Sequence, residues 1–284
     1  MKAKVVGIIG GNGSMGRWFK PFFETNGLKV VISDLNAGLG VHDLAAVSDV
    51  VVISTPIDVA CDTAREVGPL LRKDQLLTDV CSLKETILDA MLAHTAASVI
   101  GTHPMFGPYS DTIDGQNMIL CPERPGDWLP WLETLFTNAG ARVTQMKPAD
   151  HDKHMALAQG LTHMVSISLG KMLKEMQLTP ADVWAVSTPI FRLNLELIGR
   201  FLAQNHDLYA SLIGQNRHVA GTMDQFREAM ACGQAAILDG DKSTAIAFMA
   251  ELKTYFGAFC DKSLATSNRF LKLHAQSKLD PASV

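Results

Sequence analysis

The chain has 284 residues, more than one ordinary domain holds, and 47% of them are hydrophobic, enough for two sizeable cores. A formal net charge of -4 and the lack of any dense Lys/Arg run give no positive field for a polyphosphate backbone, so nucleic-acid binding is not expected. The first strand pattern starts at Val5 without a charged leader, no long uncharged apolar run follows, and the five cysteines form no CxxC pair. A cytoplasmic protein with no membrane segment and with reduced, mostly buried thiols is expected.

From residue 1 to about 147, short β-rich runs alternate with amphipathic stretches of helix length, which predicts a parallel sheet wound with crossover helices. Strands are expected at 4–9, 28–33, 49–54, 75–80, 98–102, 117–121 and 141–145. Val50 to Ile53 is apolar without alternation, as in a central strand covered on both faces. After Pro148 the chain turns to Ala, Leu, Met, Gln and Glu at helical spacing, with no convincing strand. Helices are expected at 149–176, 181–203, 206–215, 219–238 and 242–274, the last broken near Gly257. Pro180 suits a first turn, with Thr179 as its N-cap. The expected division is an α/β domain over 1–147 and an all-α domain over 148–284. Apolar helices in so small a domain predict faces buried between subunits, most simply in a homodimer.

Between the first strand and the first helix lies Gly11-Asn12-Gly13-Ser14-Met15-Gly16, a GxGxxG loop. Its glycines permit a tight turn and close approach of a pyrophosphate, and the helix N-terminus offers N–H donors. Asp34 stands at the end of the second strand, eighteen residues after Gly16, where a carboxylate accepts hydrogen bonds from ribose hydroxyls. It would repel the extra phosphate of NADP, and Leu35, Asn36 and Ala37 supply no arginine for that phosphate, so NAD is the expected cofactor in a Rossmann-type, doubly wound domain, with FAD and a sugar nucleotide as the alternatives that the motif alone leaves open. Thr55 and Pro56 end the third strand on the nicotinamide side of such a site; a plain strand-ending turn is the alternative.

In Thr102-His103-Pro104-Met105-Phe106-Gly107-Pro108 a lone histidine ends an apolar run, and the following proline blocks regular continuation. The imidazole is therefore expected at a strand's carboxyl end, the edge where open α/β sheets bind ligands. A histidine there can accept a proton near neutral pH, or be merely structural.

Taken in order, the glycine loop with Asp34, Asp79-Val80-Cys81-Ser82-Leu83-Lys84, the His103 segment, Asp150-His151-Asp152-Lys153-His154-Met155, Gln159 to His163 and Ser187 to Arg200 make the chain resemble the prephenate dehydrogenase family of tyrosine biosynthesis. It looks most like the dehydrogenase portion of bacterial enzymes fused to a chorismate mutase, and no segment of that extra domain is expected here. The resemblance implies oxidation of prephenate by NAD with loss of carbon dioxide, giving 4-hydroxyphenylpyruvate, with His103 as acceptor for the substrate hydroxyl. Ser82, at the end of another parallel strand, is expected to orient His103 or to contact nicotinamide or the substrate hydroxyl, and capping the helix near Lys84 is its structural alternative.

Prephenate is a dianion and needs fixed cations. Arg192, Glu196 and Arg200 follow at i, i+4 and i+8, which by spacing reads as an ion-pair ladder. The resemblance makes Arg200 the substrate-carboxylate arginine, His163 a residue lining the substrate pocket, and Lys84 a weaker electrostatic contact. No metal is expected: at 100° per residue His154 and His163 differ by 900°, opposite sides of one straight helix. The competing functions are an arogenate dehydrogenase, a β-hydroxyacid dehydrogenase using Lys153 or Lys171, and a non-catalytic NAD sensor or dimeric scaffold.

Overall fold

The structure, a computed structural model, describes residues 4–35 and 37–276 and falls into two compact units. One comprises the chain through Ala156 together with Ala210–Asn216; the other comprises Leu157–Tyr209 and the chain from Arg217 onward.

The first unit carries β1 (Val5–Ile9), α1 (Ser14–Thr25), β2 (Lys29–Asp34), β3 (Ala37–Gly38), α2 (Val41–Val47), β4 (Val50–Ile53), α3 (Ile57–Val67), β5 (Leu76–Asp79), α4 (Glu85–His94), β6 (Ser98–Pro104), β7 (Asn117–Arg124), α5 (Trp128–Asn138), β8 (Arg142–Gln145) and α6 (Pro148–Met155). Its eight strands form one sheet in the order β3-β2-β1-β4-β5-β6-β7-β8. The order reverses between β1 and β4, the point where a doubly wound sheet opens a crevice at its carboxyl edge.

All seven expected strands form, and five of the seven pairings are parallel. The all-parallel expectation is corrected at two places: β3 runs antiparallel to β2, and β7 antiparallel to β6. Residues 105–116 contain no helix, so nothing carries the chain back across the sheet for a parallel return. The strand holding His103 also runs two residues beyond expectation, through Pro104. Its neighbour β5 ends at Asp79, opposite Gly101, so beyond that point the strand pairing of β6 is with β7 alone. The missing N–H of Pro104 falls on the unpaired side, while Met105 N bonds to Asn117 O at 3.0 Å.

Alternate strand residues feed two cores. Val50 and Val52 join Val6, Ile8, Leu76 and Ile100 under α1 and α5, while Val51 and Ile53 join Leu77 and Val99 under α2, α3 and α4. Each such buried Val, Leu or Ile contributes about 1.5–3 kcal/mol. The α1 layer is aromatic: Trp18, Phe19, Phe22 and Phe23 pack with Phe136, and Trp18 lies 4.7 Å from Phe106 while its Nε1 donates to Ser110 O at 2.6 Å. The chain following His103 is thereby fixed to α1.

The first unit runs past the expected boundary at 147, because α6 and the returning segment dock on it. Ser211 Oγ and Gln215 Nε2 donate to the carboxylate of Asp58 at the start of α3, and Asn216 Nδ2 donates to Asp152 O at 2.8 Å.

The second unit is helical: α7 (Thr162–Glu175), α8 (Pro180–Val186), α9 (Pro189–Leu202), the first part of α10 (His206–Gly214), α11 (Val219–Gln234), α12 (Lys242–Phe256) and α13 (Phe259–Gln276). The helix expected over 149–176 is interrupted by a π-helical stretch at Ala156–Leu161. That expected over 181–203 is two helices. Pro189 offers no N–H to the preceding turn, and Thr188 leaves the helical region to accept the Phe191 N–H on its hydroxyl. Thr179 caps α8 in a reciprocal box with Asp182, and Gly257, at φ +54, ends α12.

Candidate active site

The glycine loop sits at the reversal of strand order. Gly10 closes β1 at φ +82, where a side chain would meet Ser54 O at 2.5 Å, so the sharp turn falls one residue before the motif itself. A Cβ on Gly16 would lie 2.3 Å from Gly10 O, so this residue allows α1 to rest directly on the turn. Gly13 is the N-cap of α1, and no side chain caps the first-turn N–H groups of Ser14, Met15 and Gly16. No acidic residue in that turn offsets the positive end of the helix dipole.

Asp34 is tied to this loop: its Oδ2 accepts from Asn12 N at 2.7 Å and its Oδ1 from Leu35 N at 2.8 Å. Each oxygen keeps a further lone pair for a ribose hydroxyl. Ser54, beside Gly10 at the end of β4, has a buried hydroxyl with no partner among the described residues. Next to it Thr55 Oγ1 lies 3.5 Å from Thr63 Oγ1, and Pro56 is the N-cap of α3. An uncapped helix end, a glycine cradle, a carboxylate held at its rim and an orphaned hydroxyl fit a dinucleotide.

His103, 2% exposed, is the penultimate residue of β6. Its Nδ1 is 2.8 Å from His151 Nε2 on α6, and His151 Nδ1 is 2.7 Å from Asp152 Oδ1. The Asp152 carboxylate also accepts the N–H groups of Lys84 and Glu85, at 2.8 and 3.0 Å, and so caps α4 from 67 residues away. Burial opposes its ionisation, but the bonds from His151, Glu85 and Lys84 outweigh burial and hold its pKa below the usual value. Burial, with His151 and Lys84 adding to it, pushes the His103 pKa well below 6.5; burial also lowers that of His151, against the pull of Asp152. His103 is neutral at physiological pH.

Two sequence expectations are corrected here. Lys84 is neither a substrate contact nor on a solvated helix face: it is fully buried with its ammonium paired to Asp79, whose carboxylate also accepts from Cys81 N and Thr102 N. Nor does Ser82 hydrogen-bond to His103 or cap α4; its half-buried hydroxyl has no hydrogen bond among the described residues, and His151 holds His103 instead. The part of His151 in the site has no signal in the sequence, because a pairing with His103 across 48 residues leaves no local pattern.

In the helical unit His163 packs edge-on to Phe201 and Tyr209, with ring centroids 4.4 and 4.8 Å away, and its enclosed Nδ1 has no partner among the described residues. Burial lowers its pKa. Arg200 is exposed on α9. Arg192 bonds Trp184 O at 3.3 Å and stacks 5.1 Å from that ring, while Glu196 pairs with His274 at 2.7 Å, so the expected ladder is displaced at those two residues. Lys153 and Lys171 are exposed in surface pairs with Asp150 and Glu175, which gives the β-hydroxyacid alternative no enclosed lysine. Cys81 and Cys121 are buried, the latter with its thiol pushed up to about 12 chiefly by burial; Cys61 and Cys260 are half-buried and Cys232 is exposed, so the thiols are less enclosed than expected. No described helix is long and apolar enough to cross a membrane.

The family model for the prephenate dehydrogenase nucleotide-binding domain matches residues 25–145, and that for the prephenate dehydrogenase dimerization domain matches 147–252. The chain belongs to the prephenate dehydrogenase family. It is 31% identical over 272 residues to a Methanocaldococcus jannaschii protein named "Probable arogenate/prephenate dehydrogenase", covering 89% of this chain and 61% of that one. It is 31% and 30% identical to the T-proteins of Enterobacter agglomerans and Haemophilus influenzae, covering 93% of this chain and 71% and 70% of theirs. The chain thus spans between three-fifths and three-quarters of these relatives. In fold it is similar to Aquifex aeolicus prephenate dehydrogenase in complex with hydroxyphenyl propionate and NAD+, with TM-score 0.74, 20% identity, and 90% and 98% of the two chains covered. A Synechocystis arogenate dehydrogenase matches with TM-score 0.71, 19% identity, and 88% and 98% covered. The dinucleotide site expected from the glycine loop agrees with the nucleotide-binding domain that the family model describes.

Proposed function

We propose that this chain catalyses the NAD-dependent oxidative decarboxylation of prephenate to 4-hydroxyphenylpyruvate. The observation that carries the reading is His103: an enclosed imidazole, neutral at physiological pH, whose Nδ1 is engaged and whose Nε2 has no partner among the described residues. A hydroxyl proton is accepted there, a contribution of about 10²–10⁴-fold for a positioned base. NAD, when bound, supplies the hydride acceptor, and loss of carbon dioxide aromatises the ring. Gly11, Asn12, Gly13, Ser14, Met15 and Gly16 face its pyrophosphate, Asp34 its ribose, and Thr55 and Pro56 the nicotinamide side. Arg200 pairs with a substrate carboxylate, His163 lines the substrate pocket, and Ser82 contacts nicotinamide or the substrate hydroxyl. A cytoplasmic homodimer, with 1–147 as cofactor domain and 148–284 as substrate and dimerisation domain, belongs to the same reading.

The test is NADH formation, followed by absorbance, with prephenate and with arogenate, and with NADP in place of NAD. Turnover is expected with prephenate and NAD; faster turnover of arogenate would move the protein to that substrate, and none with either would overturn the reading. Arg200→Gln is expected to raise KM for prephenate at least about tenfold, the loss of one charged hydrogen bond of roughly 1.5–3 kcal/mol, with kcat little changed.

A further inference from the structure

Behind His103 stands a chain of buried groups whose protons can be counted. Asp152 accepts two backbone N–H groups and the His151 ring, and is held ionised, so His151 Nδ1 carries the hydrogen it shares with the carboxylate. A neutral His151 then has only a lone pair at Nε2, and the 2.8 Å contact requires that His103 Nδ1 be the N–H donor. His103 is left with its own lone pair at Nε2, the atom that a substrate proton must reach. Bond by bond, the geometry forces the tautomer of a general base.

We propose that His151 and Asp152 form a relay that takes over the proton received by His103. This rests on the proposed role of His103 as acceptor of the substrate hydroxyl proton. When the substrate O–H bond breaks, an N–H bond forms at His103 Nε2; the N–H bond at His103 Nδ1 breaks and one forms at His151 Nε2. His103 ends neutral in its other tautomer, Asp152 stays ionised, and the single positive charge rests on His151 against the carboxylate. A charge left on His103 would sit in a 2% exposed site where burial and the Lys84 ammonium both disfavour it. On His151 it is offset by Asp152, the group that raises the pKa of that ring. The other charged groups bearing on His151 are Lys84 and Asp79, and these two neutralise one another in their own buried pair. His151 and Asp152 are positioning residues, since they act through His103.

Three measurements test the relay. In ¹⁵N-histidine spectra of the unliganded chain, assigned by loss of signals in His103→Asn and His151→Gln, His103 is expected to show a protonated Nδ1 and a bare Nε2 at neutral pH. The opposite tautomer overturns the proposal without reference to turnover. His151→Gln keeps an oxygen to accept the His103 N–H and keeps the Asp152 cap on α4, but cannot take a proton. Its kcat is expected to fall roughly ten- to hundredfold, within the range for a general base, while KM and the NAD dissociation constant stay within about twofold; wild-type kcat overturns the relay. Asp152→Asn removes the charge that raises His151, so the acid limb of the kcat profile moves to lower pH while kcat drops. An unmoved limb in a variant with native circular dichroism assigns Asp152 a capping role alone and overturns the relay. If the unaltered protein turns over neither prephenate nor arogenate, the functional reading fails and the spectra alone decide the relay.

Discussion

Lys84 illustrates how far one residue's role depends on its surroundings. As an ammonium at the start of a helix it reads as a surface or ligand-binding charge, yet it is enclosed against Asp79 with no exposed area. Removing one partner of such a pair leaves the other charged and buried, which costs about 3–5 kcal/mol. Lys84→Met is therefore expected to lose about that much in urea denaturation, and Lys84→Met with Asp79→Leu to recover a large part of it. A single-variant loss below about 1 kcal/mol would mean that the N–H groups of Cys81 and Thr102 suffice to hold the Asp79 carboxylate. The chemistry of His103 is subject to the same rule. Its residue type and the following proline were informative in the sequence, but its charge state is set chiefly by burial, with His151 and Lys84 adding to it, and its Nδ1 is engaged by His151, 48 residues away along the chain.

At the scale of elements, the decisive join is that of β1, the glycine loop and α1. Gly16 lets the first turn of α1 lie on Gly10, and a methyl there would sit 2.3 Å from a backbone oxygen that cannot rotate away. Gly16→Ala is expected to displace α1 and weaken NADH binding, read by fluorescence titration, by about tenfold or more, equivalent to roughly 1.4 kcal/mol. Gly13→Ala is expected to fall well short of that, because its nearest neighbour is 3.2 Å away. The strand-loop-helix order was legible because glycine spacing and apolar runs are local patterns. The antiparallel β7 left a weaker trace, a stretch with Gly107-Pro108 and Asp114-Gly115 and no helical spacing between two strands. The break at Thr188-Pro189 was missed, because the helical period on both sides of it hid the stop.

For the whole molecule, the helical unit carries large apolar side chains that its own packing leaves exposed, among them Ile246, Met249 and Leu252 on α12 and Phe259 and Leu264 on α13. Scattered exposed apolar residues are ordinary, but the run along α12, most of which lies within the dimerization-domain match ending at residue 252, fits a subunit interface. Sedimentation velocity is expected to give twice the 30.8 kDa chain mass, and Met249→Asp with Leu252→Asp to shift the population toward monomer. A wild-type protein that sediments as a monomer would remove the dimer from the proposed function.

The sequence by itself determined the α/β unit followed by helices, the glycine loop with its acid, and a histidine at a strand's end, since each is written in neighbouring residues through spacing, apolar period or a proline. Only the tertiary structure decided that Lys84 is an internal counter-ion, that α4 is capped by Asp152, and that His151 stands behind His103. These depend on bringing β5, β6, α4 and α6 together, and hydrogen bonds and burial between residues far apart in the chain have no periodicity for a sequence to display.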